Sequence, residues 1–140
     1  VSLRIFSAYG PGLRRQVMWD ICRKMLRSDE VELIGTGDET RDFVHARDVG
    51  RAVAHLLDRA PFAAEAYNLA AGEETRIRDL ADLIARALGR TPRVRFSGAT
   101  RPGDPLRWQA DLSRIKSLGY EPSVRLEDGV AEYARLAMGQ

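Results

Sequence analysis

GTGDETRDFVHARD, which runs from Gly35 to Asp48, joins three differently patterned stretches of this chain. An apolar run with strand-like alternation, Val31 to Ile34, precedes it. Gly35 and Gly37 predict a tight turn whose backbone conformation is unfavourable for residues with a Cβ. A second β-prone run follows, Asp42 to His45, and the last residue of the stretch is a good N-cap for the amphipathic helical pattern beyond it. The stretch therefore predicts strand, turn, strand and helix in close succession.

Arg41 lies at the start of the second strand, just beyond the glycine turn. The planar guanidinium suits a phosphate or a carboxylate, because it donates two parallel hydrogen bonds. An alternative interpretation is a surface hairpin in which Arg41 pairs with Asp38 or Asp42. From these residues alone both interpretations stay open.

Short strands and amphipathic helices alternate along the rest of the chain, so we predict the α/β class. Ser2 to Tyr9 is predicted to be a buried strand. Thr75 and Asp111 are predicted to cap helices, and Gly89 to end one. The remaining predicted helices are Arg15 to Leu26, Ile77 to Leu88, Leu112 to Leu118 and Leu126 to Met138, and the remaining predicted strands are Ala66 to Ala70 and Pro92 to Phe96.

Composition narrows the classes of protein to which the chain can belong. A length of 140 residues fits one domain, and 44% hydrophobic with 30% charged residues is typical of a globular protein. No apolar run approaches the roughly 18 residues of a membrane helix. The net charge is +2 and the arginines are spread among acids, which argues against nucleic-acid binding. One cysteine, Cys22, on an apolar helical face, predicts a buried structural thiol and fits a reducing cytoplasm.

No self-sufficient catalytic set is visible in the 140 residues. The strand before Gly10-Pro11-Gly12 is not followed by G-x-G-x-x-G, since Pro11 removes a backbone donor and the third glycine is missing. The two histidines, His45 and His55, lie ten residues apart without a cysteine pair, so no metal site is predicted. We assign no catalytic residue to this chain.

Five segments, taken in order, resemble the C-terminal half of the extended short-chain dehydrogenase/reductase family, the NAD-dependent nucleotide-sugar epimerases and dehydratases. Each segment is a weak signal, but together they span nearly the whole chain. The segments are LRIFSAYGPG (Leu3 to Gly12), GTGDETRDFVHARDV (Gly35 to Val49), YNLAAG (Tyr67 to Gly72), RPGDP (Arg101 to Pro105) with ADLSR (Ala110 to Arg114), and LGYEPSVRLEDG (Leu118 to Gly129).

The resemblance implies a role for each matching position. Arg41 would hold the pyrophosphate of a nucleoside-diphosphate sugar, and Arg101 with Asp104 would contact the phosphate and the nucleoside ribose. The strand from Val31 to Leu33 would lie along the base. Ser7 and Ala8 would lie beside the sugar and the nicotinamide, at the junction with the cofactor domain. The fold implied is the C-terminal part of a Rossmann-type enzyme, residues 1–140, with short strands and amphipathic helices.

The chain departs from the family pattern at two places. The family usually has Asn where this chain has Ser7, so that sugar contact changes. The family's glycine-rich loop and Tyr-x-x-x-Lys lie upstream of Leu3, and none of the four tyrosines here is followed by lysine four positions on. We therefore expect an N-terminal portion, absent from this chain, to bind NAD (or NADP).

The resemblance also implies a setting for the whole enzyme. A homodimer in the cytoplasm is expected, without membrane or nucleic-acid partners. A non-catalytic nucleotide-sugar-binding or regulatory relative with the same fold is the alternative. A glycine-rich start and a Tyr-x-x-x-Lys upstream would favour the enzyme.

Overall fold

A computed structural model describes residues 1–99 and 103–139 of the chain. Within these residues, strands and helices alternate as the sequence predicted, and they include one short strand, β6, that the sequence did not predict. In chain order the elements are β1 Ser2–Ile5, β2 Ser7–Tyr9, α1 Gln16–Arg27, β3 Glu30–Leu33, β4 Thr40–His45, α2 Ala46–Arg59, β5 Ala66–Leu69, β6 Glu74–Arg76, α3 Ile77–Leu88, β7 Arg93–Phe96, α4 Ser113–Lys116 and α5 Leu126–Ala137.

The strands pair mostly in parallel across helical crossovers. β1 lies parallel to β5, β2 to β4, and β3 to β7, while β6 runs antiparallel on the other side of β4. Parallel neighbours need a long connection between them, and here helices supply it. The mixed α/β class is therefore confirmed.

Strand β4 separates two hydrophobic cores. Because successive side chains of a strand point to opposite faces, Phe43 packs into one core and Val44 into the other. The first core joins α1, α3 and α5 to β3 and includes Met18, Ile21, Met25, Leu80, Ile84 and Val130. The second lies between α2, β5 and α4 and includes Ala52, Leu56, Leu69, Ile115 and Tyr120.

The first predicted strand is divided, and half of it is exposed. At Phe6 the chain changes partners: β1 pairs with β5, whereas β2 pairs with β4. Most of β1 faces outward, with Ile5 45% exposed. The prediction of one buried strand from Ser2 to Tyr9 is therefore wrong, because alternation along the chain does not report which strand lies beside it.

Two of the predicted helix N-caps are wrong, and the third is displaced by one residue. Helix α2 begins at Ala46, and the ring Nδ1 of His45 accepts a hydrogen bond from the Arg47 N–H at 3.2 Å. Asp48 therefore lies inside the helix. Thr75 belongs to β6 and does not cap α3. The N-cap of α4 is Leu112, one residue beyond the predicted Asp111, although Asp111 Oδ1 accepts a hydrogen bond from the Ser113 N–H at 2.9 Å.

The buried carboxylate of Asp42 connects three segments. It accepts hydrogen bonds from the N–H groups of Ala71 at 2.9 Å, Gly72 at 3.0 Å and Ala110 at 3.1 Å. Burial raises the pKa of Asp42, and these hydrogen bonds oppose that shift. One side chain of β4 thus holds the end of β5 and the segment before α4 in place.

The carboxylate of Asp48 likewise holds in place the segment that leads into α5. It accepts from the N–H groups of Ser123 at 3.0 Å and Val124 at 2.9 Å, and it pairs with Arg51 at 2.8 Å. Burial acts to raise the pKa of Asp48, but these hydrogen bonds and the arginine hold it below its usual range. The C-terminal helix is therefore anchored to α2 through an ionised carboxylate.

We expect Asp42→Ala to lower the free energy of unfolding by about 3 kcal/mol, because three buried N–H groups would lose their acceptor. Chemical denaturation of the purified protein measures this. Asp58→Ala is the matched control, since Asp58 lies on α2 and its side chain is 73% exposed. If both variants unfold alike, Asp42 does not hold these segments.

The Asp48 carboxylate makes stability depend on pH in a defined direction. Its folded pKa lies below the unfolded value of about 3.9, so its contribution is present above that value and is lost as the pH falls through the folded pKa. Asp42, whose pKa is raised, contributes in the opposite sense. We expect Asp48→Asn to flatten the fall in unfolding free energy on acidification, as measured by denaturation at several pH values. An unchanged slope would contradict this assignment.

Candidate functional site

A cavity of about 390 Å³ lies between α1, the end of β3, the glycine turn and the start of β4. Apolar side chains and charged side chains both line it, as is usual for small-molecule sites. Its lining residues are Gln16, Val17, Asp20, Ile21, Lys24, Leu33, Ile34, Gly35, Glu39, Arg41, Ile77, Ala99, Asp104 and Leu106.

Main-chain carbonyls fix the guanidinium of Arg41 at this cavity. Its Nη1 donates to the carbonyl of Thr40 at 2.7 Å and to that of Pro105 at 2.8 Å. Its Nη2 lies 3.4 Å from Asp104 Oδ1, and its guanidinium carbon lies 5.6 Å from the centre of the Trp108 ring. These two carbonyls occupy two of the five N–H donors. The others make no hydrogen bond to a residue that the structure describes, although Nη2 is ion-paired with Asp104.

An extended segment from Pro105 to Ala110 runs beside β4 and forms the wall next to Arg41. The Thr40 N–H donates to the Leu106 carbonyl at 2.9 Å, and the Trp108 N–H donates to Thr40 Oγ1 at 3.1 Å. The Ala110 N–H completes the series at Asp42, as described above. These bonds fix the register of the segment against β4. They therefore place Asp104 and the Pro105 carbonyl next to the Arg41 guanidinium.

The glycine turn closes the cavity beside β3. Gly35 and Gly37 have φ angles of 102° and 85°, and a Cβ on Gly37 would lie 2.8 Å from the Phe96 ring. The Glu39 carboxylate accepts from the N–H groups of Thr36 and Gly37, both at 2.9 Å. Burial acts to raise the pKa of Glu39, but these bonds hold it below its usual range. The predicted tight turn is confirmed.

The alternative pairings for Arg41 are wrong. Asp38 pairs with Arg78 at 2.9 Å, and Asp42 is turned into the fold, where it accepts backbone hydrogen bonds. The acid beside Arg41 is Asp104, which the chain brings back across more than sixty residues. An arginine held by carbonyls at a cavity fits ligand binding better than a surface ion pair does.

The structure brings together three of the predicted site residues and separates the others. Leu33, Arg41 and Asp104 line the same cavity. Ser7 lies opposite Phe43 in the β2–β4 ladder, which places it on the same sheet face as Arg41. The two remaining described residues lie elsewhere: Ala8 packs beside the second core, and the buried side chain of Val31 packs in the first core and does not line the cavity. Arg101 falls outside the described residues.

The sequence analysis missed the wall that α1 supplies. Gln16, Asp20 and Lys24 repeat at four-residue spacing along this helix, next to the apolar pair Val17 and Ile21, and all five line the cavity. The spacing was visible, but the apolar face of the helix was interpreted as core alone. The buried thiol of Cys22, on that face, is confirmed, and burial raises its pKa to about 11.

Two kinds of feature are absent from residues 1–99 and 103–139. No helix there is long and apolar enough to cross a membrane. No group of three or more His, Cys, Asp or Glu side chains in the same ranges is arranged to hold a metal ion.

The parallel strand pairs joined by helices, with a cavity beside β4, are typical of part of a Rossmann-type protein. The NAD dependent epimerase/dehydratase family matches residues 1–70. The chain belongs to this family, and the resemblance stated from the sequence is confirmed.

Comparison with individual proteins and solved structures gives the same result. GDP-L-fucose synthase 1 of Arabidopsis thaliana is 35% identical over 109 residues, 78% of this chain and 33% of that protein. dTDP-L-rhamnose 4-epimerase of Burkholderia thailandensis is 34% identical over 136 residues, which are 93% of this chain and 37% of that protein. The structure of a UDP-glucuronic acid 4-epimerase from Bacillus cereus, in complex with UDP-glucuronic acid and NAD, superposes with a TM-score of 0.89 at 26% identity and covers 98% of this chain and 44% of that one. The chain thus spans about two fifths of the length of such proteins.

Proposed function

We propose that this chain is the substrate-binding part of an NAD-dependent nucleotide-sugar epimerase or dehydratase. In this proposal the cavity beside Arg41 holds the nucleoside diphosphate. The observation that carries the proposal is the arginine itself: two carbonyls hold its Nη1 in place, while its other donors stay free of hydrogen bonds to described residues. Membership of the family supplies the class of substrate.

The pyrophosphate would bind at Arg41, because a fixed guanidinium offers paired N–H donors to phosphate oxygens. Asp104 is 3.4 Å away and half exposed, and its carboxylate would accept from the ribose hydroxyls. The apolar part of the cavity, which includes Val17, Ile21 and Leu33, would take the flat base. Arg101 is proposed, from its motif, as a second contact to the phosphates.

The sugar would extend from Arg41 toward Ser7. The Trp108 ring lies 5.6 Å from the Arg41 guanidinium and also 5.6 Å from the Phe6 ring, and Phe6 immediately precedes Ser7. Aromatic faces commonly border sugars and cations because they combine apolar area with a negative π-face. This row of side chains supports a path from the phosphate end to Ser7 on β2.

Residues of this chain fit the whole cofactor poorly. The turn after β2 carries Gly10 and Gly12 around Pro11, which has no N–H to give to a phosphate. NAD, when bound, supplies the hydride acceptor for the sugar. We propose that residues outside this chain hold most of it, with Ala8 near the nicotinamide. On the same resemblance we expect a cytoplasmic homodimer.

Arg41→Ala should weaken nucleoside-diphosphate binding roughly ten- to a hundredfold, because a hydrogen bond to a charged group contributes on the order of 1.5–3 kcal/mol. Arg41→Lys should restore only part of the affinity, since lysine lacks the planar pair of donors. Calorimetry with the nucleoside diphosphate measures this in the whole protein, meaning the complete product of the gene that encodes this chain. NAD binding should change much less.

Arg59→Ala is the control for that measurement, because Arg59 is exposed and pairs with Asp58 on the far end of α2. Equal nucleotide affinity in the Arg41 and Arg59 variants, with both correctly folded, would show that Arg41 does not hold the phosphates. The proposed site would then be wrong.

The 140-residue chain by itself should turn over no nucleotide sugar when NAD is added. Catalysis needs a positioned cofactor and an acid/base group, and no Tyr-x-x-x-Lys occurs in these residues. Absorbance of reduced nicotinamide and chromatography of the sugar products measure the activity. Turnover by the purified chain would contradict the proposed division of labour between the two portions.

A further inference from the structure

A polar stripe of α1 faces the cavity opposite Arg41. Gln16, Asp20 and Lys24 lie at four-residue spacing, so they share one side of the helix, and each lines the cavity. In the proposed function the phosphates take the side of Arg41. The α1 wall then faces the rest of the nucleotide, and its charges meet the base.

Asp20 and Lys24 form a defined pair of opposite charge on this wall. Lys24 Nζ lies 2.8 Å from Asp20 Oδ2 and donates to the carbonyl of Glu32 at 3.0 Å. The exposed Arg23 makes a longer contact, 3.5 Å, with the other carboxylate oxygen, Asp20 Oδ1. The next carbonyl along β3, that of Leu33, accepts from Ser97 on the side of β7. Neighbouring carbonyls of a strand point to opposite sides, so Lys24 is attached to the edge of β3 that faces away from β7. The pair is thereby held beside the strand along which the base would lie.

We infer that this pair selects guanine, so that the substrate is a guanosine-diphosphate sugar. The inference rests on the proposed function. The Watson–Crick edge of guanine presents, side by side, the O6 acceptor and the N1–H and N2–H donors. Lys24 donates to O6, and the two oxygens of Asp20 accept from N1–H and N2–H. The three polar groups of this edge are then satisfied by two side chains.

Other bases satisfy the pair less well. Uracil and thymine place one N–H between two carbonyls, so the second oxygen of Asp20 would face a carbonyl oxygen. Adenine and cytosine offer one amino group beside a ring acceptor, which leaves one carboxylate oxygen without a donor. A polar group that loses its water to a ligand without gaining a partner costs affinity, and so the pair would discriminate between bases as well as bind one.

As a surface ion pair, Asp20 and Lys24 would contribute little. Side chains that are 42% and 33% exposed, spaced four residues apart, add only a few tenths of a kcal/mol to a helix. The two interpretations therefore predict different results. A surface pair leaves base preference unchanged, whereas a pair that contacts guanine controls it.

The test compares four nucleotides on the whole protein by calorimetry: GDP, IDP, UDP and dTDP. IDP retains O6 and N1–H but lacks the 2-amino group, so it probes one oxygen of Asp20. We expect GDP to bind roughly tenfold more tightly than IDP, and more tightly than UDP or dTDP, because one hydrogen bond to a charged acceptor is lost. This comparison needs no variant.

Asp20→Asn then identifies the residue responsible. Its amide NH₂ would oppose a guanine donor, so GDP affinity should fall roughly tenfold and the ratio of GDP to IDP affinity should approach one, while UDP affinity changes less than about twofold. Lys24→Gln should weaken GDP and IDP equally, since both bases carry O6. Asp58→Asn and Lys116→Gln, at exposed ion pairs outside the cavity lining, are the controls.

Each outcome decides between the two proposals. Tighter binding of UDP or dTDP than of GDP, equal binding of GDP and IDP, or a ratio unchanged by Asp20→Asn would overturn the assignment of guanine and leave nucleotide binding in place. Absence of binding by all four nucleotides, or binding insensitive to Arg41→Ala, would overturn the proposed function itself.

Discussion

The buried carboxylate of Asp42 is the interaction on which the site depends. It lies in the middle of β4, fully enclosed, and accepts N–H groups from three residues in two distant segments. Burial of a carboxylate is costly unless hydrogen bonds replace the water that it loses. Because Ala71, Gly72 and Ala110 supply those bonds, the fold reaches its low free energy only when both segments lie against β4.

That constraint also explains why the Arg41 side chain is held in one place at the cavity. Asp42 and Thr40 point to the face of β4 on which the segment from Pro105 to Ala110 lies, and both bind its backbone. The segment in turn places the Pro105 carbonyl on the Arg41 guanidinium. An arginine on an open strand end would move through many rotamers. Here folding already restricts Arg41 to one arrangement. A ligand would therefore bind without the cost in side-chain entropy of fixing this arginine.

The other end of β4 shows how tightly the C-terminal helix is fitted to the sheet. The Tyr9 ring packs edge-on against the ring of His45, and a Cβ on Gly129 of α5 would overlap the Tyr9 hydroxyl. Burial raises the pKa of Tyr9 and lowers that of His45, and neither the Tyr9 hydroxyl nor the His45 Nε2 has a hydrogen-bond partner among the described residues. His45 Nε2 does lie 3.5 Å from Glu132 Oε2, and His45 Nδ1 caps α2, so this ring both packs and holds a helix end.

The sequence by itself determined the α/β class, the glycine turn and the ends of most helices, because these depend on side-chain periodicity and on backbone conformations that neighbouring residues set. Its motif also predicted a ligand-binding role for Arg41, and the structure shows that this side chain lines a cavity. Only the tertiary structure decided that Asp104 is the acid beside it, that Asp48 anchors the segment before α5 and that Val31 packs inward. It alone showed that α1 supplies a wall of charges. Those facts depend on contacts between residues that lie tens of positions apart in the sequence. Which segments come into contact is decided by the whole fold, and the pattern of neighbouring residues does not predict it.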